Sequence, residues 1–258
     1  VKVISDGCGC FPSGRHYPGI AHLLRVTVRG LVEELGADTP WLDVPIAMLD
    51  VETTGRDSGQ DRVIELGIVV GRAGEVVVKY NWMINPGRAI APDAQEVHGI
   101  SDADVANAPP FEAIAHEVRR ALEGCVPAAY NAPFDRAFLH AEFARVAAGA
   151  AAGGDGGVGG VGPLAPALRR EVEWLDPLVW ARELQSDQRS RTLVDVAARL
   201  GVKLENAHRA SDDAEAALHV LYRLGRDARV PHVYGAFLQE QRRLSLMQAD
   251  ERRMWRSP

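Results

Sequence analysis

The sequence predicts an α/β fold, a mixed five-stranded sheet flanked by helices, and three observations carry that expectation. Three β-like runs follow one another at 44–52, 62–70 and 74–85. Helices then alternate with short strands as far as residue 224, the pattern of a sheet covered by helices. A chain of 258 residues with 47% hydrophobic content can also build a substantial core.

The elements are read in chain order. Residues 1–19 have no periodic pattern, and 20–36 place Leu23, Leu24, Val28, Leu31 and Val32 at helical spacing. The second and third β-like runs are joined by the turn-like "GRAG" and complete an antiparallel meander with the first. A helix is expected from Pro110 to Leu122, a strand at "CVPAAY", a helix from Pro133 to Val146 and a strand at "VEWLD". Helices at 177–185, 192–200 and 210–224 follow, and the tail from Pro231 holds one more helical pattern. The glycine-rich stretch 148–166 has no core-forming pattern and is read as a mobile surface insertion within one domain. The organisation expected is an N-terminal extension over 1–43, a main domain over 44–225 and a helical tail over 226–258.

Composition narrows the function classes. No apolar run is long enough to span a membrane, and the first residues lack a signal-peptide pattern, so a cytoplasmic protein with no membrane partner is expected. With 29 Lys and Arg against 35 Asp and Glu, the net charge of -6 disfavours a broad basic face for wrapping duplex DNA. Gripping a short strand end is compatible with it. Three cysteines, an odd number, fit a reducing compartment. Cys8 and Cys10 with His16 are too few ligands, at too unusual a spacing, for a zinc site, and Cys125 is read as core.

The chemistry-bearing residues start at "LDVETTG", residues 49–55. On a strand Asp50 and Glu52 share a face, where two close carboxylates repel unless one is protonated or a cation lies between them. Hard oxygen ligands of this kind suit Mg²⁺ or Mn²⁺. From these two residues alone, a plain strand exit into the turn "TTGRDSGQD" is an equally good reading. "YNAPFDRAFL" then places Asp135 in a first helical turn, where the helix N-terminus holds a negative charge. "NAHRASDDAEAALHVLYRL" offers His208 just ahead of a helix, and Asp212 or Asp213 within it. Asp213 shares a stripe with Ala217, Leu221 and Leu224 and is expected to face inward, whereas Asp212 lies with Ala216, His219 and Arg223. Taken singly, Asp135 and Asp213 also read as helix-start residues and His208 as a loop histidine.

Together and in this order, "LDVETTG", "YNAPFDRAFL" and "HRASDDA" resemble the three motifs of the DnaQ-like, DEDDh-type 3′-5′ exonucleases, among them the proofreading epsilon subunit of bacterial DNA polymerase III. "INPGRAIAPDAQEVHGIS" resembles that family's connecting segment, and the likeness covers 44–225 apart from the insertion. The resemblance implies a ribonuclease H-like fold in which Asp50, Glu52, Asp135 and Asp213 hold two Mg²⁺ or Mn²⁺ ions and His208 is the general base. It further implies contacts from Thr53, Val97, His98 and Asn131 to the terminal nucleotide. The implied reaction is metal-dependent release of nucleoside 5′-monophosphates from the 3′ end of single-stranded DNA, for proofreading or repair. Tyr130 and Pro133 depart from the family pattern without removing a ligand.

Other readings stay open at this point. An exoribonuclease of the same fold differs only in pocket contacts to the 2′-OH, which no motif reveals. A non-catalytic module binding nucleic-acid ends or a polymerase would have no use for four mutually repelling carboxylates. "RRLSLMQ", 242–248, loosely resembles segments that dock on sliding clamps; packing of Leu244, Met247 and Trp255 on the domain is the alternative. Glu65, a charge inside an apolar strand, supports the ligands from behind or faces solvent at an edge.

Overall fold

The computed structural model describes residues 30–33, 35–152, 164–204 and 208–254. Strands β1 (Ile46–Thr53), β2 (Val63–Arg72) and β3 (Glu75–Met83) form the expected antiparallel meander, and β4 (Val126–Ala129) pairs in parallel with β1. The order across the mixed sheet is β3-β2-β1-β4. β2 and β3 meet at a two-residue turn in which Ala73 and Gly74 both have positive φ, the backbone handedness that a tight hairpin requires.

The expected fifth strand is corrected to a single bridge. Leu175 pairs in parallel with Ala128, donating to Pro127 O at 3.0 Å and accepting from Ala129 N–H at 3.0 Å. Pairing stops there because the chain turns at once into a helix: Asp176 caps it by accepting from Leu178 N–H, and Pro177 has no N–H to offer a ladder. Four strands therefore make up the sheet among the described residues.

Helices α1 (Pro92–His98), α2 (Asp102–Val105) and α3 (Phe111–Ala121) follow the meander, and α4 (Pro133–Ala152) follows β4. The connecting segment thus carries a helix the sequence reading passed over, opened by Pro92 and closed by Gly99 at φ 72°. α4 runs six residues past its expected end at Val146, since "AAGAAA" is mostly alanine, the strongest helix former. Of the stretch read as a mobile insertion, 148–152 is thus helical, Ala165 is buried, and 153–163 lie outside the described residues. Then come α5 (Pro177–Leu184), α6 (Leu193–Arg199), α7 (Ala210–Leu224) and α8 (Tyr234–Met254). In the expected leading helix, 30–33 form a turn and bend, while 20–29 lie outside the described residues, as do Cys8, Cys10 and His16.

The two sheet faces are covered differently. On one face lie Gly67 and Gly71, where an added Cβ would overlap the backbone of Ala210 and Ser211 or crowd Leu218 and Tyr222; glycine is what lets α7 lie directly on β2. On the opposite face Trp82 of β3 donates to Glu117 of α3. α8 is docked by an aromatic layer: Phe237 lies 5.0 Å from Trp41 and 4.8 Å from Trp180, ring centre to ring centre. The clamp-like segment 242–248 lies inside this helix, with Leu244 buried and Gln248 donating to Val179 O at 2.9 Å. Met247 stays partly exposed, and Trp255 lies outside the described residues. Among the described residues no helix is long and apolar enough to cross a membrane.

Candidate active site

Strand register decides which way the carboxylates face. Asp50 pairs with Gly67 and Glu52 with Glu65, so both side chains stand on the face that receives α7. A register shift between Glu52 and Thr53 bends the end of β1 just past the second carboxylate. β1 and β4 run in parallel, so the chain leaving β4 emerges beside the same end of the sheet. From there Asn131 turns with φ 70° and α4 begins, bringing Asp135 back over β1: its Oδ1 accepts from Val51 N–H at 3.1 Å.

α7 supplies the third side. Glu52, His208 and Asp213 each present a ligand atom within 4.8 Å of the others. His208 precedes α7 at φ 68°, and its N–H donates to Asp213 Oδ2 at 3.1 Å, which ties the two residues together. Asp212 faces away and pairs with Lys79 Nζ at 2.5 Å. The stripe expected from periodicity thus separates the two aspartates as read from the sequence.

The electrostatics match this crowding. Burial, then the negative charges of Asp135, Glu52, Asp213 and Glu65, push the Asp50 carboxyl well above its ordinary range. Burial and then the charges of Asp213 and Glu65 raise Glu52 from 4.5 to about 8, against a lowering pull from Arg209. Burial likewise raises Asp135 and Asp213, although backbone N–H donors oppose it at both. Carboxylates from three segments, their pKa values raised by burial and by neighbouring carboxylates, are a donor set short of positive charge. Hard oxygen donors of this kind fit a divalent cation: among the described residues Glu52, His208 and Asp213 bring ligand atoms close enough together to share one, and Asp50 feels the charges of Asp135, Glu52 and Asp213.

This arrangement gives a pH dependence with a definite sign. Between about 4.5 and about 8 the folded protein keeps a proton on Glu52 that the unfolded chain has lost, so metal-free stability should fall as pH rises through that window. Thermal unfolding in chelator at pH 5 and pH 8 measures it. Glu52→Gln should flatten the difference, and divalent cation at pH 8 should raise the midpoint.

The residues expected around the terminal nucleotide are arranged unequally. Val97 is 53% exposed and available to a ligand. His98 is buried: Nδ1 accepts from Ile100 N–H at 3.0 Å, leaving Nε2 to carry the proton and face Thr53 O at 3.3 Å. Its polar atoms are spent on the scaffold, and burial lowers its pKa. Thr53 is also buried, with its hydroxyl donating to Gly55 O at 2.6 Å. Asn131 has an exposed side chain, and its N–H donates to Asp176 Oδ1 at 3.0 Å.

Sequence reasoning missed Asp176, which accepts from the N–H groups of Asn131, Ala132 and Leu178 and fixes the turn into α4. The signal was present as an Asp-Pro pair opening a helix. It also left Glu65 undecided. Glu65 is fully buried rather than solvated at an edge, and Asn81 Nδ2 donates to it at 2.9 Å.

Comparison with known proteins adds the family context. The RNase_T family model, described as an exonuclease, matches residues 47–221. The chain is similar to DNA polymerase III PolC-type of Thermotoga maritima, 30% identical over 205 residues that make up 80% of this chain. It is 27% identical to that of Streptococcus suis over 196 residues, 76% of this chain. The chain spans only 14% and 12% of the length of these two relatives. Among solved structures, exonuclease I superposes with a TM-score of 0.59 at 17% identity, covering 71% of this chain and 41% of that one. Exonuclease X in complex with 5′ overhanging duplex DNA gives 0.52 at 21% identity, covering 72% and 95%. At these identities the likeness is one of fold, the ribonuclease H-like α/β architecture.

Proposed function

The chain belongs to the RNase_T exonuclease family, the DnaQ-like 3′-5′ exonucleases, and from that premise we propose that it hydrolyses the terminal phosphodiester at the 3′ end of single-stranded DNA. The product is a nucleoside 5′-monophosphate, and the biological role is proofreading or repair. One observation carries the reading: acidic side chains from β1, α4 and α7 gather with one imidazole at the end of the sheet where β1 and β4 terminate. Relatives named as polymerase III, and neighbours solved with DNA, support DNA as substrate and a polymerase as partner. The sliding-clamp segment has less support, because Leu244, one of its two leucines, is committed to the core of the α8 contact.

In this mechanism Asp50, Glu52, Asp135 and Asp213 would hold two divalent ions, Mg²⁺ or Mn²⁺. When bound, such ions lower the pKa of a water and offset charge on the phosphate and the departing oxygen. His208 accepts the proton of the attacking water as its oxygen bonds to phosphorus. The bond from phosphorus to the 3′ oxygen breaks, and that oxygen leaves as a hydroxyl by taking a proton from solvent water, to which His208 later returns its own. The side chains of Val97 and Asn131 are exposed where the terminal nucleotide would lie. His98 and Thr53 serve from beneath, His98 by holding the Thr53 carbonyl and Thr53 by holding the turn at Gly55. The catalytic unit in this reading is 44–225, with α8 (Tyr234–Met254) docked on it.

The test is release of mononucleotides from 3′-labelled single-stranded DNA and RNA, with Mg²⁺, with Mn²⁺ and with chelator. Metal-dependent release from DNA exceeding that from RNA is expected. Preference for RNA would make the protein an exoribonuclease, and no release from either would reduce it to a binding module.

A further inference from the structure

We propose that Glu65 is a positioning residue that clamps the His208–Asp213 segment against the sheet through two links, the Arg209 guanidinium and the Ala210 amide. The inference rests on the nuclease reading for its effect on turnover. The clamp itself is a property of the fold.

Glu65 sits in β2 directly across from Glu52 and is 0% exposed. A buried carboxylate beside two others is costly there, and a leucine or glutamine would fill the same position without the repulsion. What the charge does is visible in its contacts. Oε1 accepts from Asn81 Nδ2 at 2.9 Å, which fixes the carboxylate from the β3 side. The same oxygen pairs with an Arg209 terminal nitrogen at 3.2 Å, and Oε2 faces Ala210 N–H at 3.5 Å. Arg209 and Ala210 follow His208 directly and lead into the helix that carries Asp213.

This stretch needs holding. His208 is in the left-handed region, φ 68°, which residues other than glycine adopt infrequently and at some conformational cost. Its side-chain direction therefore depends on what pins the next two residues. The rest of α7 is docked by Ala214, Ala217, Leu218 and Leu221, all buried, so the helix does not need Glu65 to stay in place. Gly67, two residues along the same face, lets the Ala210 backbone come close enough for the second link. Glu65, itself fully buried, thus acts on the reacting groups through Arg209 and Ala210.

Glu65→Gln keeps an acceptor for Ala210 and loses the ion pair; Glu65→Leu loses both; Arg209→Ala breaks the pair from the other side. In the 3′-end assay Glu65→Gln should lower kcat by about tenfold and Glu65→Leu by up to about a hundredfold, the range of groups that orient reacting residues, with KM within about twofold. Adding Arg209→Ala to Glu65→Gln should cost little beyond either change alone, because both remove one link. Amide exchange on the metal-free protein gives a readout independent of activity. Protection at 208–210 should fall in Glu65→Gln while that at 214–224 stays at the wild-type level. Wild-type kcat and unchanged exchange in Glu65→Gln would overturn the proposal, as would loss of protection along the whole of α7, the mark of a merely structural residue. A wild-type protein that releases no nucleotide would sink the nuclease reading instead, and the exchange measurement would still decide the clamp.

Discussion

Asp213→Ala should abolish nucleotide release, lowering kcat by more than about a thousandfold, while Asp212→Ala should stay within about twofold of the wild type. The first figure follows because metal-ion stabilisation of developing charge is worth several kcal/mol and about 1.4 kcal/mol is a factor of ten in rate. The second follows because Asp212 pairs with the partly exposed Lys79, and such surface pairs contribute about 0 to 1 kcal/mol to stability. The two residues are adjacent in sequence and identical in chemistry, so the contrast isolates geometry. Asp213 lies with Glu52 and His208; Asp212 points across β3 to Lys79. Single-turnover rates at saturating Mn²⁺ are the measurement. Equal effects from the two changes would mean that α7 presents a different face to the site.

His208→Ala comes next in size. Loss of a general base costs typically about a hundredfold to ten-thousandfold in rate, and that range is expected for kcat here. Metal binding should survive, because the four carboxylates supply the hard donors and His208 is exposed at the rim. Calorimetric titration with Mn²⁺ separates the two roles. Unchanged stoichiometry with a depressed rate supports proton transfer, whereas a lost ion would make His208 a ligand, a role its position within 4.8 Å of Glu52 and Asp213 also permits geometrically.

Much of the site could be read from local pattern because its residues obey strand and helix periods. Asp50 and Glu52 share a face by the two-residue repeat of β1, and Asp213 is set apart from Asp212 by the helical stripe of α7, whose bounds match the expected 210–224. Outside the site, local pattern failed where a long-range contact or a capping residue decided the outcome. "VEWLD" has the composition of a strand, but Asp176 and Pro177 start a helix that leaves Leu175 as a lone bridge. The helix at 92–98 was hidden in a polar connecting segment, since its short length leaves little room for an apolar stripe. Glu65 could not be assigned because its partner Arg209 lies 144 positions along the chain, and only β2 packing under α7 brings them together. His98 shows the same limit: the family resemblance implies a contact to the terminal nucleotide, and local pattern gave no sign that the Ile100 amide and the Thr53 carbonyl engage both ring nitrogens.

The most direct test is anomalous X-ray diffraction from crystals grown with Mn²⁺ and a nucleoside 5′-monophosphate. The account predicts manganese peaks bonded to the carboxylates of Asp50, Glu52, Asp135 and Asp213, with the nucleotide phosphate against them and the His208 ring beside it. Manganese found elsewhere on the protein, or these four carboxylates left without an ion at saturating Mn²⁺, would contradict it.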